Sequence, residues 1–333
     1  MRILVIGGTQ FIGRHVVAEL LARGDEVTLF HRGRTNPSLF PEVSHILGDR
    51  NSDLSGLANG DWDATIDTSA YFPRQVKLLA EHLGVRGGTY VHVSSVSAYA
   101  SPIEAGYTED APLQTLSDPT IEEVTGQTYG GLKALCELEA QRSFRHVPVA
   151  IVRPTYVVGP YDHTQRFTWW IEMIARGGVF LAPGPKENPF QVIDVRDLAD
   201  FMVTLAHAQT AGTYHTVSPP SGITFAEFLE LVKAVVGPSD LNLEWVEPSL
   251  LREVGVNESV FPLWAGDDPD RNVGAANPER AYAAGLAPRP LRDTIEDTHA
   301  WAMADGFDPL QVPGFGLSQE QVSDLLARIG ETA

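Results

Sequence analysis

The chain holds one cysteine, Cys136, in 333 residues. An intramolecular disulfide is thereby excluded, and a reducing, cytoplasmic setting is expected. Cys136 falls in a helical pattern, so it is expected as a small core residue rather than a nucleophile. Basic residues are scarce too: 24 lysines and arginines face 43 acidic side chains, a formal charge of −19. Such a surface repels phosphate backbones and anionic lipid heads, so neither nucleic acid nor a membrane is expected as the main partner. No apolar run approaches the ~20 residues of a membrane span. The opening MRILVIGG lacks the long apolar stretch of a signal peptide. No cluster of His, Cys or carboxylate has metal-ligand spacing, and no metal is expected.

What is present has ordinary globular proportions, 43% apolar and 20% charged. Short apolar runs alternate with helical spacing. Ile3 to Ile6 reads as a buried strand, Phe11 to Arg23 as a helix stopped by Gly24, and Glu26 to Phe30 as a second strand. The rhythm continues through strands at Ile46, Asp63–Thr68, Thr89–Ser95 and Val149–Pro154, with helices at Pro73–Leu83 and Thr128–Arg142. The pattern implies an α/β fold, a Rossmann-type doubly wound parallel sheet. After Pro154 the rhythm changes to turns with one helix, Arg166–Arg176, and from Ile223 to short helices between Pro- and Gly-rich loops. The expected division is a nucleotide-binding domain of residues 1–155 plus about 190–220. A smaller C-terminal α+β substrate lobe takes 156–189 and 221–333.

The first strand runs into VIGGTQFIGRH. Glycines in such a turn permit the tight bend, the approach of a pyrophosphate and close helix packing, and the helix N-terminus favours phosphate. Gly7 and Gly13 take the outer positions, and Gly8 adds a glycine. Gln10 stands where a middle glycine is usual, with an ordinary helical φ as one expectation for it. Thr9, Gln10, Phe11 and Ile12 complete the candidate cradle. The second strand ends Phe30-His31-Arg32-Gly33-Arg34. No carboxylate is there to accept from a ribose 2′-hydroxyl, while two guanidinium forks suit a 2′-phosphate. NADP is therefore expected over NAD, with His31, Arg32 and Arg34 as contacts. Asp49 and Arg50, after the third strand, are expected near the adenine.

Tyr129 and Lys133 are four apart and share a helix face. Only four lysines occur, Lys77, Lys133, Lys186 and Lys233, and one has this spacing. A cation one turn away would stabilise a phenolate and lower its pKa, fitting Tyr129 to exchange a proton during hydride transfer. Lys133 is also expected to hold the nicotinamide ribose. Ser95, in VSSVSAY at the end of a central strand, would orient the substrate oxygen.

GGTQFIG, SSVSAY, YGGLK and IVRPTYVVGP together resemble the extended short-chain dehydrogenase/reductase family, which includes NAD(P)-dependent epimerases and dehydratases. QVIDVRDLAD and NPERAYAAGL are similar to its later signatures. The resemblance implies Ser95, Tyr129 and Lys133 as the catalytic trio and places Pro154 near the nicotinamide. It sets Thr68, Ser69 and Ala70 along the cofactor, and implies a possible homodimer through helices that include the one bearing Tyr129, where Leu132, Leu135 and Leu138 suit core or interface. Gln10 is similar to an atypical branch that also holds chloroplast stem-loop RNA-binding proteins. Val96 and Ser97 after Ser95 depart from the Asp-Glu pair of the sugar dehydratases.

Candidate contacts to a small-molecule substrate are Tyr71, Ser97, Thr155, Tyr156, His163, Arg166, Trp170, Gln191, Arg196 and Trp264 in FPLW, each equally compatible with packing or surface charge. The expectation is an NADP(H)-dependent oxidoreductase acting on a secondary alcohol or ketone. The alternatives are a nucleotide-sugar epimerase and a non-catalytic protein that binds RNA or senses NADP(H).

Overall fold

The computed structural model describes residues 1–256 and 258–332. Its first half runs β1 (Arg2–Ile6), α1 (Phe11–Ala22), β2 (Glu26–His31), β3 (Ser44–Leu47), β4 (Ala64–Asp67), α2 (Pro73–Leu83), β5 (Thr89–Val93), α3 (Tyr129–Ser143) and β6 (Val149–Pro154). There follow β7 (Tyr156–Val158), α4 (Arg166–Ala175), β8 (Val179–Pro183), β9 (Pro189–Asp194), α5 (Val195–Ala208), β10 (Gly212–Thr216) and β11 (Ser218–Thr224). The remainder is α6 (Phe225–Val236), β12 (Asn242–Val246), α7 (Pro248–Glu253), α8 (Glu279–Ala283), α9 (Leu291–Asp305) and α10 (Gln319–Thr332).

Seven strands form one parallel sheet in the order β3-β2-β1-β4-β5-β6-β10. Alternate side chains of β1 leave on opposite faces. Ile3 and Val5 join an apolar cluster with α1 and α5, while Leu4 and Ile6 join another with α2 and α3. Both faces are thus buried, as a parallel sheet requires. Strand order reverses between β1 and β4, the switch point where such sheets bind ligands at the strands' carboxyl ends.

Of the returning segment, β10 joins the large sheet and α5 packs on it, whereas β9 pairs with β7 and β11 in a three-stranded sheet. A separate apolar cluster gathers α4, α6, β8, β9 and β12 around Trp169, Trp170, Phe190 and Phe228. This part is richer in regular structure than the sequence reading allows. β8 and β12 pair in parallel, and α6, α9 and α10 are 12, 15 and 14 residues long rather than short. The strands escape a period-2 reading because VFLAP and NLEWV are brief and make only a two-stranded sheet. Among the described residues, no helix is long and apolar enough to cross a membrane.

Candidate active site

β1 ends at Ile6 and the chain turns through Gly7, whose φ of +108° is open to glycine and strained for other residues. A Cβ on Gly13 would lie 2.6 Å from the Gly8 nitrogen, so the start of α1 can press against the turn only because that residue is glycine. Gln10 is the N-cap of α1. Its backbone is extended (φ −136°, ψ 151°), in place of the helical φ that was one expectation for it, and its side chain caps nothing. An extended backbone suits any residue, so a third glycine is not needed there for conformation. The first turn of α1 has no acidic residue and no side-chain cap, which leaves its amides and dipole directed at an anion.

These residues wall a groove of about 510 Å³ that runs from Gly7–Gly13 past Thr68 and Ser69 to His31, Arg32 and Arg34. Among the described residues, neither Arg32 nor Arg34 has an ion pair or side-chain hydrogen bond, and both are exposed. Their charges reach Asp49 only as part of the field that holds its carboxyl below the usual range, after its hydrogen bonds with Asn51. The groove thus offers an orphaned helix start at one end and two free guanidinium groups at the other, a donor set that fits a phosphorylated dinucleotide.

A second cavity of about 600 Å³ continues from the first, the two sharing Phe11, Ile12, Thr68, Tyr71 and His163. Ser95, Tyr129 and Lys133 all line it. The Ser95 hydroxyl donates to Ser97 Oγ at 3.1 Å, accepts from the Ser97 amide at 3.1 Å, and faces Tyr129 across the cavity wall. The buried Lys133 ammonium donates to the carbonyls of Ala70 at 2.9 Å and Val93 at 2.5 Å, and burial holds it below its ordinary value. The expected lowering of Tyr129 is absent. Burial raises it, Tyr71 adds to the rise, and the Ser95 hydroxyl and Arg166 oppose it. Tyr129 therefore stays a phenol at neutral pH.

The other expected residues divide. Tyr71, Ser97, Pro154, Thr155, Tyr156, His163, Arg166 and Trp264 line the second cavity, and the buried Thr155 hydroxyl has no partner there among the described residues. Gln191 does not: its amide is bound to Ala276 through both its oxygen and its nitrogen, facing a different depression. Asp49 is also outside the groove lining, because its carboxylate closes the turn onto Asn51. Arg50 lines the groove, but its guanidinium is held in a buried fork by Asp67 (2.8 Å twice) and by Ser69 (2.9 Å), so it braces the floor. Arg196 pairs with Asp194 and Asp297, and Trp170 is core, bonded to the Pro262 carbonyl. In FPLW, Phe261 is buried in the core and Trp264 alone lines the cavity. Cys136 is buried, and burial pushes its thiol up to about 12. On α3, Leu132 is buried, Leu135 half-buried and Leu138 exposed.

Several wall residues escaped the sequence reading. Tyr99, Gln114, Asp268 and Asp270 line the second cavity. The available signal was the carboxylate run DDPD directly after the FPLW loop. Behind the cavity lies a buried network. Arg153 on β6 pairs with Glu137 on α3 and bonds Tyr99, Ser94 donates to Glu137, and Tyr99 bonds His215 of β10.

The sequence matches the NAD dependent epimerase/dehydratase family over residues 3–217. It is 25% identical over 241 residues to the Arabidopsis thaliana chloroplast stem-loop binding protein of 41 kDa b; the matched stretch is 67% of this chain and 60%, under two thirds, of that relative. In fold it is similar to the UDP-glucose 4-epimerase of Thermotoga maritima, solved with UDP-glucose (TM-score 0.69, 17% identity, 92% of this chain and 99% of that one). It is likewise similar to the UDP-glucuronic acid 4-epimerase of Bacillus cereus, solved with NAD (TM-score 0.65, 18% identity, 91% and 99%). With the family match covering more than half of the chain, and with a parallel sheet of the same kind, this protein belongs to the NAD dependent epimerase/dehydratase family, the NAD(P)-dependent enzymes of the short-chain dehydrogenase/reductase type.

Proposed function

We propose that this enzyme is an NADP(H)-dependent oxidoreductase acting on a secondary alcohol or ketone, with Tyr129 as the acid and base. The observation that carries the cofactor half is the pair of guanidinium groups, Arg32 and Arg34, without a partner among the described residues, on the wall of the glycine-turn groove. When bound, the nicotinamide dinucleotide supplies or takes up the hydride. Gly7–Gly13 and the start of α1 would hold its diphosphate, and Arg32 and Arg34 its 2′-phosphate. Lys133, fixed by two carbonyls, would direct its remaining proton toward the nicotinamide ribose. In reduction Tyr129 gives its proton to the substrate oxygen, which Ser95 orients; in oxidation Tyr129 takes it back. A phenol kept protonated by burial has the proton that the reductive step needs.

The substrate half rests on charge. Cationic lysine and arginine at the second cavity are Lys133 and Arg166, and the first is engaged by carbonyls. Asp162, Asp268 and Asp270 line the same cavity. A nucleoside diphosphate would bring two negative charges against these carboxylates, whereas an uncharged ketone meets no such cost.

The test is NADPH consumption against a panel of ketones. Tyr129→Phe should lower turnover by about 10²–10⁴-fold while NADP+ still binds. Equal rates in both proteins would contradict the proposal. The second reading, an epimerase, is favoured by the family's description and by the likeness to UDP-sugar epimerases. It requires isomer interconversion with no net NADPH consumption.

A further inference from the structure

Two histidines lie beneath the arginine loop. In the β2–β3 register His45 stands opposite Leu29, and Leu47 opposite His31. Strand alternation therefore sends both imidazoles to the same face. Their rings meet edge to face with centroids 5.0 Å apart. His31 Nε2 lies 2.8 Å from His45 Nδ1, His45 Nε2 lies 3.0 Å from the Phe40 carbonyl oxygen, and the Gly33 amide donates to His31 Nδ1 at 3.1 Å.

The two ends of this chain are backbone groups with one role each. The Gly33 N–H can only donate, so His31 Nδ1 carries a lone pair. The neutral His31 ring then holds its proton on Nε2 and gives it to His45 Nδ1. His45 in turn holds its proton on Nε2 and donates to Phe40, whose carbonyl can only accept. One tautomer of each neutral ring satisfies every bond. Burial is the chief cause that lowers His31, in agreement with its neutral form.

The chain grips the loop where it matters. Gly33 sits between Arg32 and Arg34 with φ +69°, and Phe40 is at φ +58°. Asn36 Nδ2 pins the same loop to the Thr9 carbonyl of the glycine turn at 2.9 Å. Among the described residues the guanidinium groups have no partner holding them, so their direction depends on this backbone.

We propose that His31 and His45 are positioning residues for cofactor selection: their hydrogen-bond relay sets the Gly33 backbone so that Arg32 and Arg34 meet a 2′-phosphate together. This rests on the NADP(H) reading above. Neither histidine needs to touch the cofactor's reacting atoms; the relay acts through the arginines.

Calorimetric titration of wild type and variants with NADP+ and NAD+ tests it. His45→Phe keeps an aromatic ring and removes both of that residue's bonds. NADP+ affinity should fall about tenfold, the loss of one charge-assisted contact, with NAD+ affinity within about twofold. Retained NAD+ binding reports an intact fold. His45→Gln, whose amide can accept from His31 and donate to Phe40, should restore the preference. If His45→Phe does not fold, His31→Phe breaks the Gly33 bond directly and is read the same way. An unchanged NADP+/NAD+ ratio in a folded variant would overturn the relay. Absence of any NADP+ preference in wild type would instead overturn the cofactor reading, before a variant is compared.

Discussion

Gln10 stands where the glycine turn has no conformational need for glycine, since its backbone is extended. Gln10→Gly should therefore change NADP+ affinity by less than about threefold, within the effect of an N-cap exchange; a tenfold gain would show that its side chain obstructs the groove. Arg32 and Arg34 are the opposite case. Arg34→Ala or Arg32→Ala should each weaken NADP+ by about tenfold and leave NAD+ nearly unchanged, as comparative titrations would reveal. At this scale the sequence was informative wherever chemistry depends on local spacing. Tyr129 and Lys133 share a face because they are four apart, and the arginines end a strand. It misled where a side chain's partner is remote. Gln191 meets Ala276, 85 positions away, and Arg50 meets Asp67 across the switch point. The raised Tyr129 value is a consequence of burial, which spacing does not report.

The helix that carries Tyr129 and Lys133 is anchored through Glu137, one turn further along α3. Glu137 is paired with Arg153 and accepts from Ser94, with both charged side chains nearly fully buried. Removing one partner of such a pair strands a buried charge. Glu137→Ala should cost about 3–5 kcal/mol, read as a lowered urea midpoint, and should also reduce turnover because α3 loses its hold on Ser94 and on β6. The double change Glu137→Leu with Arg153→Met should recover much of the stability. If the double variant is no more stable than Glu137→Ala, the stranded charge is not the cause. Elements with strong periodicity, α2 and β6 among them, were readable to the residue. Strands β8 and β12 were not, because a five-residue strand in a two-stranded sheet has too little alternation to stand out. The network itself was invisible: its members come from the segment after β5 and from α3, β6 and β10, and only the fold brings them together.

For the molecule as a whole, burial of neutral histidines ties stability to pH. His92 on β5 is fully buried against Tyr90, and neither ring nitrogen has a partner among the described residues. Burial, with the Lys133 charge next, lowers it to about 3. The unfolded chain takes up this proton near pH 6.5 and the folded chain does not, so stability falls as pH drops below about 6.5. At pH 5 the loss from His92 alone is about 2 kcal/mol. His15, His31 and His215 are lowered as well and act in the same sense. His92→Phe should flatten the fall in denaturation midpoint between pH 7 and pH 5; an identical slope would contradict it.

The same scale holds the central claim, that one continuous groove accepts a phosphorylated dinucleotide beside Ser95, Tyr129 and Lys133. Calorimetric titration of the purified wild-type enzyme with NADP+ and NAD+ in the same buffer tests it most directly. The expected result is NADP+ bound at least about tenfold more tightly. A preference for NAD+, or NAD retained through purification, would contradict it and put the epimerase reading first.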